Sequence, residues 1–172
     1  MGERAPSRRK TFEDHAELDA LYQELGPGLV RYLRRLLQHN GLAEDVAQDA
    51  FLILVRRWPD VRDHPNPRAW LYTVARHLAF DASKERSHEF LSEELPGEAG
   101  GEADDPSDGY DTRLAVSEAI EKLPPRQREA VWLFYFCGFK QNETAAIMHI
   151  RRDTVAALLF QARKGLAGLL GA

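Results

Sequence analysis

The chain has 172 residues and a formal net charge of −4 at pH 7, with 29% charged and 9% aromatic residues, as in ordinary globular proteins. This length allows one domain or two small ones. A single cysteine excludes an intramolecular disulfide framework and a multi-cysteine zinc site, and we expect no metal or other cofactor. The basic first residues lack an apolar secretory segment and no apolar run is long enough to span a membrane, so we predict a cytoplasmic protein.

Acidic residues are concentrated between positions 89 and 112, a segment with nine carboxylates and no lysine or arginine. Outside it, 23 basic residues face 18 acidic ones, a balance of +5 that is compatible with nucleic-acid binding. The segment is rich in Gly, Pro and Ser, and it cannot bury enough apolar surface to offset its ordering entropy. We therefore predict a disordered basic N-terminus at 1–12, a helical domain at 13–88, a flexible acidic linker at 89–112 and a second helical domain at 113–172.

Apolar residues recur with a helical period in both domains, and no strand-like alternation is present, which predicts an all-α fold. In the first domain we expect helices at 13–25, ending at Gly-Pro-Gly, at 29–38, and at 42–58, before Pro59. A fourth should begin with Asn66 as its cap and Pro67 at its first position, and run to about residue 86. In the second domain the predicted helices cover 113–122, 125–137, 142–148 and 153–170.

The third predicted helix is apolar on two sides. Such a helix is usually buried, so either the other helices of a bundle or a partner protein should cover it. One side carries Val46, Ala50, Ile53 and Leu54, and the opposite side carries Phe51, Leu52 and Val55. Four polar residues near its start could contribute to docking on a protein: Glu44, Asp45, Gln48 and Asp49.

The fourth predicted helix mixes aromatic with basic residues. This combination suits stacking on unpaired bases while the nucleic-acid backbone is neutralised. Aromatic residues at helical spacing are also typical of a buried core, to which we assign Trp70 and Val74. The core does not account for the cationic positions Arg76, His77, Lys84 and Arg86.

Four segments in this order, AEDVAQDAFLILVRRW, NPRAWLYTVARHLAFD, LPPRQREAVWLFYFCGF and TVAALLFQARKGL, resemble the extracytoplasmic-function group of bacterial RNA polymerase sigma factors. The resemblance covers about residues 18–87, which would be region 2, and about 113–169, which would be region 4. It implies a non-enzymatic protein that directs core RNA polymerase to promoters. Expected partners are the polymerase β′ clamp and β flap, promoter DNA and an anti-sigma factor.

The resemblance also implies three groups of site residues. Polymerase would be bound by Glu44, Asp45, Gln48, Asp49, Phe51 and Leu52. The −10 element would be opened and held by Val61, Arg76, His77, Phe80, Lys84 and Arg86. The −35 element would be met by Arg151, Arg152, Thr154, Ala156, Ala157, Phe160, Gln161 and Lys164.

The last predicted helix follows a helix-turn-helix plan but has few DNA-reading groups. Its buried stripe should be Val155, Leu159, Ala162 and Leu166, which leaves Asp153, Ala157, Phe160 and Lys164 at the centre of the outer face, flanked by Ala156 and Gln161. Three interpretations remain open. The helix reads a −35 element through Gln161 and apolar contacts; it binds DNA weakly and promoter choice depends on region 2 or an activator; or it binds a protein. A sigma-like protein that sequesters an anti-sigma factor is the alternative function.

Overall fold

The computed structural model describes residues 8–89 and 110–171, with side chains at 13–87 and 112–171. Contacts divide the chain into two compact units, residues 1–96 and 97–172. All regular structure in the described residues is helical, which confirms the predicted all-α fold. The helices are α1 (Arg8–Leu37), α2 (Asn40–Val61), α3 (Pro67–Glu89), α4 (Tyr110–Glu121), α5 (Pro125–Val131), α6 (Gln141–Met148) and α7 (Arg152–Leu170).

Helix α1 runs without a break through Gly26-Pro27-Gly28, so the prediction of two helices separated at this point is wrong. Pro27 has no N–H to donate to the carbonyl one turn earlier in the helix. Because Pro27 is exposed, water can bind that carbonyl instead. A Cβ at Gly28 would lie 3.1 Å from the Tyr72 hydroxyl oxygen, so glycine permits the close approach of α3. Burial of the flanking apolar residues therefore overrides the local breaking signal; they are Leu25, Leu29, Tyr32 and Leu33.

The N-terminal ends of α1 and α4 also differ from prediction. Helix α1 begins at Arg8, inside the segment predicted to be disordered, and α4 begins at Tyr110, inside the predicted linker. Residues 1–7 and 90–109, with most of the acidic linker, lie outside the described residues.

Helices α1, α2 and α3 pack together in the first unit. Helix α2 continues past the predicted end at Trp58 and includes Pro59. Because proline has no N–H, the Val55 carbonyl lacks its helical hydrogen bond, and both Pro59 and Val55 are exposed. At its other end, the Nδ1 of His39 accepts a hydrogen bond from the Leu42 N–H at 3.0 Å. The core stripe of α2 includes Val46, Ala50, Leu54, Trp58 and Val61.

Helix α3 begins as predicted. The Asn66 side-chain oxygen accepts a hydrogen bond from the Ala69 N–H at 2.9 Å, and Pro67 occupies the first helical position. Just before it, the Arg62 guanidinium is 2.9 Å from carboxylate oxygens of both Asp14 and Glu17. Arg62 therefore fastens the end of α2 to the N-terminal half of α1.

The second unit contains the helix-turn-helix formed by α6 and α7. His149 ends α6 in the left-handed conformation (φ 53°), and the Ile150 N–H donates to the Ala145 carbonyl at 3.0 Å. A left-handed residue followed by this backbone hydrogen bond is a common end of a helix, although the left-handed conformation favours glycine. Val155, Leu159 and Ala162 are fully buried as predicted, and Leu166 is half-buried.

Helix α5 passes into a π-helical turn, Trp132–Phe136, where a continuous helix to residue 137 was predicted. The Cys137 N–H donates to the Trp132 carbonyl at 2.9 Å, five residues back, and Gly138 follows with φ +72°. The turn leaves Tyr135 and Phe136 exposed. Cys137, the single cysteine of the chain, is half-buried.

Candidate nucleic-acid and protein interfaces

The side of α2 that points away from the core forms one continuous exposed surface. Helical spacing brings Asp45, Gln48, Asp49 and Leu52 together on it, and we call these four residues the α2 face. Leu52 is 53% exposed and the neighbouring Val55 is 52% exposed. Acidic and amide groups beside uncovered aliphatic side chains are a suitable surface for a protein partner.

Two residues predicted to bind polymerase are placed differently from the α2 face. The Glu44 carboxylate pairs with the Arg34 guanidinium at 2.7 Å, so Glu44 ties α2 to α1. Phe51 is only 8% exposed and meets Tyr22 edge-on, with ring centroids 4.8 Å apart. Sequence periodicity put Phe51 on the side opposite the core, but its position next to the buried stripe lets the large ring turn inward against α1.

The outer side of α3 carries the cationic and aromatic residues predicted to act on the −10 element. We call Arg76, His77, Phe80 and Lys84 the α3 face. His77 and Lys84 are exposed, and Phe80 is 41% exposed. The Arg76 guanidinium carbon lies 4.5 Å from the Phe80 ring centroid, within cation–π range. Arg76 therefore covers part of a ring that is otherwise open to solvent.

Val61 and Arg86 do not join the α3 face. Val61 is 2% exposed and belongs to the core of the first unit. Arg86 is half-buried and lies on the side of α3 that continues the buried stripe of Ala75 and Ala79. Lys84 and Arg86 are two positions apart in sequence and therefore point to nearly opposite sides of the helix, which is why only Lys84 belongs to the α3 face.

On α7 the predicted outer side is exposed. We call Asp153, Ala157, Phe160, Gln161 and Lys164 the α7 face; all are exposed, with Phe160 at 63%. Arg151, Arg152 and Thr154 are also exposed at the start of the helix, whereas Ala156 and Leu158 are half-buried. The free N–H groups of a helix start, next to two arginines, favour an anion such as a phosphate.

Two contacts beside the α7 face were not predicted. The Gln127 side-chain amide, on α5, donates to the Gln161 side-chain carbonyl at 3.3 Å. The Arg163 guanidinium donates to the Tyr135 hydroxyl at 3.1 Å. The paired residues are 34 and 28 positions apart, so only the packing of α5 and the π-helical turn against α7 brings them together.

Neither unit shows a cluster suited to a metal ion among its described residues, where no three His, Cys, Asp or Glu side chains converge. In the same residues, no helix has the length and apolar character needed to cross a membrane.

Comparison with known proteins identifies both units. Residues 21–89 match the family model for Sigma-70 region 2, and residues 113–166 match that for Sigma-70 region 4. Relatives include the ECF RNA polymerase sigma factor SigM of Bacillus subtilis, which is 28% identical over 88% of this chain and 94% of that protein. SigL of Mycobacterium tuberculosis is 32% identical over 88% and 87% of the two chains. CarQ of Myxococcus xanthus is 30% identical over 93% and 94%.

Solved structures give the same result for the fold. The sigma factor RpoE of Bartonella quintana, in complex with the anti-sigma factor NepR, has a TM-score of 0.72 and 25% identity, covering 89% of this chain and 98% of that one. CnrH, in complex with the cytosolic domain of CnrY, has a TM-score of 0.62 and 22% identity over 91% and 89% of the chains. The second likeness concerns the fold alone.

Proposed function

Because this chain belongs to the ECF family of RNA polymerase sigma factors, we propose that it binds core RNA polymerase and directs promoter-specific initiation. In this proposal the α2 face docks on the coiled coil of the β′ clamp, and region 4 meets the β flap. Asp45, Asp49 and Leu52 are exposed in the free chain. Polar groups would set the register of docking, and the covered aliphatic surface would add affinity.

The α3 face would open and hold the −10 element, and it is the observation that carries the proposal. Extruding a base from a duplex costs a few kcal/mol. Stacking of a base on an aromatic ring returns about 1–3 kcal/mol, and nearby cations neutralise the displaced backbone. Phe80 offers the exposed ring, Arg76 steadies it, and Lys84 offers the charge. His77 can donate or accept a hydrogen bond, so it is the candidate for base specificity.

The α7 face would meet the −35 element. Arg151 and Arg152 are exposed at the helix start, where they would contact phosphates. Along the helix, Gln161 would contact an adenine edge, and Ala157 and Phe160 would meet thymine methyl groups. With few polar groups, this contact would be weakly selective.

Run-off transcription with purified core polymerase tests the proposal. We expect transcripts that start at specific promoters, with a smaller loss on removing the −35 element than on mutating the −10 element. Lys84→Gln should reduce open-complex formation several-fold, because it removes an exposed cation from the α3 face. Glu85→Gln, the adjacent exposed position of opposite charge, is the matched control and should not reduce it. No transcript from any promoter of the source genome, together with tight binding to another protein, would refute initiation.

A second candidate function is supported by the exposure of Phe160. Phe160 is 63% exposed and lies beside the exposed Ala157, so the α7 face carries an apolar patch of the kind that can bind a protein. The Bartonella relative is found with an anti-sigma factor, so a protein partner for the α7 face is a reasonable second proposal. If Phe160→Ala abolishes capture of such a protein but leaves transcription unchanged, the α7 face serves the protein partner.

A further inference from the structure

The two flanks of α7, on either side of its exposed face, differ in charge. Arg152 and Arg163 are both exposed, and their spacing in sequence puts them on the same flank, about 16 Å apart along the helix. The opposite flank carries Thr154 and Gln161, which are exposed but uncharged. A helix in the major groove has one flank toward each sugar–phosphate backbone. If α7 binds DNA, its arginine flank should therefore hold one strand more strongly than the other flank holds its partner strand.

Arg163 differs from several other arginines of the chain in the side chain that it contacts. Arg34, Arg62 and Arg128 each pair with a carboxylate. The Arg163 guanidinium instead donates to the Tyr135 hydroxyl at 3.1 Å, and it forms no ion pair with any residue whose side chain the structure describes. Its positive charge is therefore not neutralised within the second unit and stays available for an anion.

The contact with Arg163 also determines the role of the Tyr135 hydroxyl. A guanidinium has N–H donors and no acceptor, so the hydroxyl oxygen must accept and its proton must point elsewhere. That proton has no acceptor among the residues with described side chains, and Tyr135 is 49% exposed. One anion beside the pair can therefore accept from the O–H of Tyr135 and from the remaining N–H groups of Arg163.

The two side chains come from elements that are packed together. Tyr135 lies in the π-helical turn at the end of α5, and α5 packs against α7, which carries Arg163. The pair thus exists in the free protein and does not have to be assembled by a ligand. A long side chain that is already hydrogen-bonded before binding loses less conformational freedom on binding than one that is free in water.

We propose that Tyr135 completes, with Arg163, a two-donor site for one phosphate of the DNA backbone beside the −35 element. The inference rests on the proposed contact of the α7 face with DNA, and it adds a contact from outside the helix-turn-helix. A backbone phosphate is negatively charged and accepts hydrogen bonds, which matches a cation beside an O–H. Because phosphates carry no sequence information, the site fixes the position of α7 on the duplex and does not read bases.

Holoenzyme reconstituted with the full-length chain tests the site on promoter DNA in which the phosphates beside the −35 element are replaced, one at a time, by neutral methylphosphonates. We expect one replacement on one strand to lower wild-type affinity by about fivefold. Arg163→Gln should bind unmodified DNA more weakly by a similar factor and lose little more at that replacement. Its affinity should fall equally on all −35 sequences, because the contact involves no base.

Tyr135→Phe isolates the hydroxyl, because the ring remains. It should weaken binding to unmodified DNA by about threefold and respond less than wild type to the same methylphosphonate. Tyr22→Phe, which removes the hydroxyl of an exposed tyrosine in the first unit, is the matched control and should behave like wild type. Tyr135 and Arg163 are both exposed, so neither variant should change the urea denaturation of the second unit.

The outcomes separate this inference from the function on which it rests. If neither deletion of the −35 duplex nor any methylphosphonate weakens wild-type binding, α7 does not contact DNA and both proposals are wrong. If methylphosphonates weaken wild type and both variants equally at every position, α7 binds DNA without this pair and only the inference is overturned. If Arg163→Gln is insensitive at one position where Tyr135→Phe responds like wild type, Arg163 binds the phosphate alone and the two-donor site is refuted.

Discussion

Adding a cation at Ala157 should strengthen promoter binding and steepen its salt dependence. Ala157 is fully on the exposed side of α7, on the same side as Lys164, which lies two turns further along the helix. A lysine there meets no packed neighbour, so Ala157→Lys should fold like wild type and place an ammonium where a DNA groove would lie.

The size of the effect follows from counterion release. Each phosphate neutralised adds about −0.9 to the slope of log affinity against log salt for duplex DNA. Between about 50 mM and about 200 mM salt, a fourfold change, one added contact lowers the affinity of the variant by about 3.5-fold relative to wild type. The variant should thus have its largest advantage at low salt and lose most of it at the higher concentration.

Fluorescence anisotropy of holoenzyme on labelled promoter DNA, titrated at four or more salt concentrations, measures this slope. Ala157→Gln is the control for side-chain size and should leave the slope unchanged. Leu158→Lys should not reproduce the gain, because Leu158 is half-buried and its substitution also costs packing. An unchanged slope for Ala157→Lys would mean that the α7 face does not lie against the phosphate backbone, and would favour the protein-partner alternative.

Three further predictions concern packing and the α3 face. Leu159→Ala should lower the free energy of unfolding of the second unit by about 2–5 kcal/mol in urea denaturation, because Leu159 is completely buried. A loss below about 1 kcal/mol would mean that the core collapses around the gap. Arg62→Ala should lower the free energy of unfolding of the first unit by about 1 kcal/mol, and by less in high salt, because both carboxylate partners of Arg62 are partly exposed. An equal loss at all salt concentrations would mean that Arg62 stabilises the unit by packing. His77→Ala should change the preference at one −10 position in run-off transcription, whereas a drop that is uniform across −10 sequences would identify a backbone or packing role.

The sequence was sufficient for features that depend on local chemistry and on periodicity. The cap at Asn66, the start of α3 at Pro67 and the buried stripe of α7 are local or regular, and the structure agrees with them. The resemblance to ECF sigma factors was likewise confirmed by matches in both units. It rested on four motifs in one order, a combination that chance rarely produces.

The errors arose where packing decides between local alternatives. Gly26-Pro27-Gly28 would end a helix in isolation, but the side chains before and after it are buried against α2 and α3, so the helix continues. Phe51 could turn toward solvent or toward α1, and Tyr22 provides the surface that favours burial. The Gln127–Gln161 contact joins two helices across the second unit, and no pattern within either helix indicates it.

The structure also changes what the unusual composition of α7 implies for promoter choice. Ala156 and Leu158 are half-buried, so their lack of charge follows partly from packing. Ala157, in contrast, is exposed and could carry a cation without loss of packing. What remains in the middle turns is Gln161 together with apolar contacts, which discriminate thymine from other bases only modestly. The α3 face has cations, an exposed ring and an imidazole close together. If both faces bind DNA as proposed, selectivity should therefore come mainly from the −10 element, with the −35 contact adding general affinity and a preference at one position.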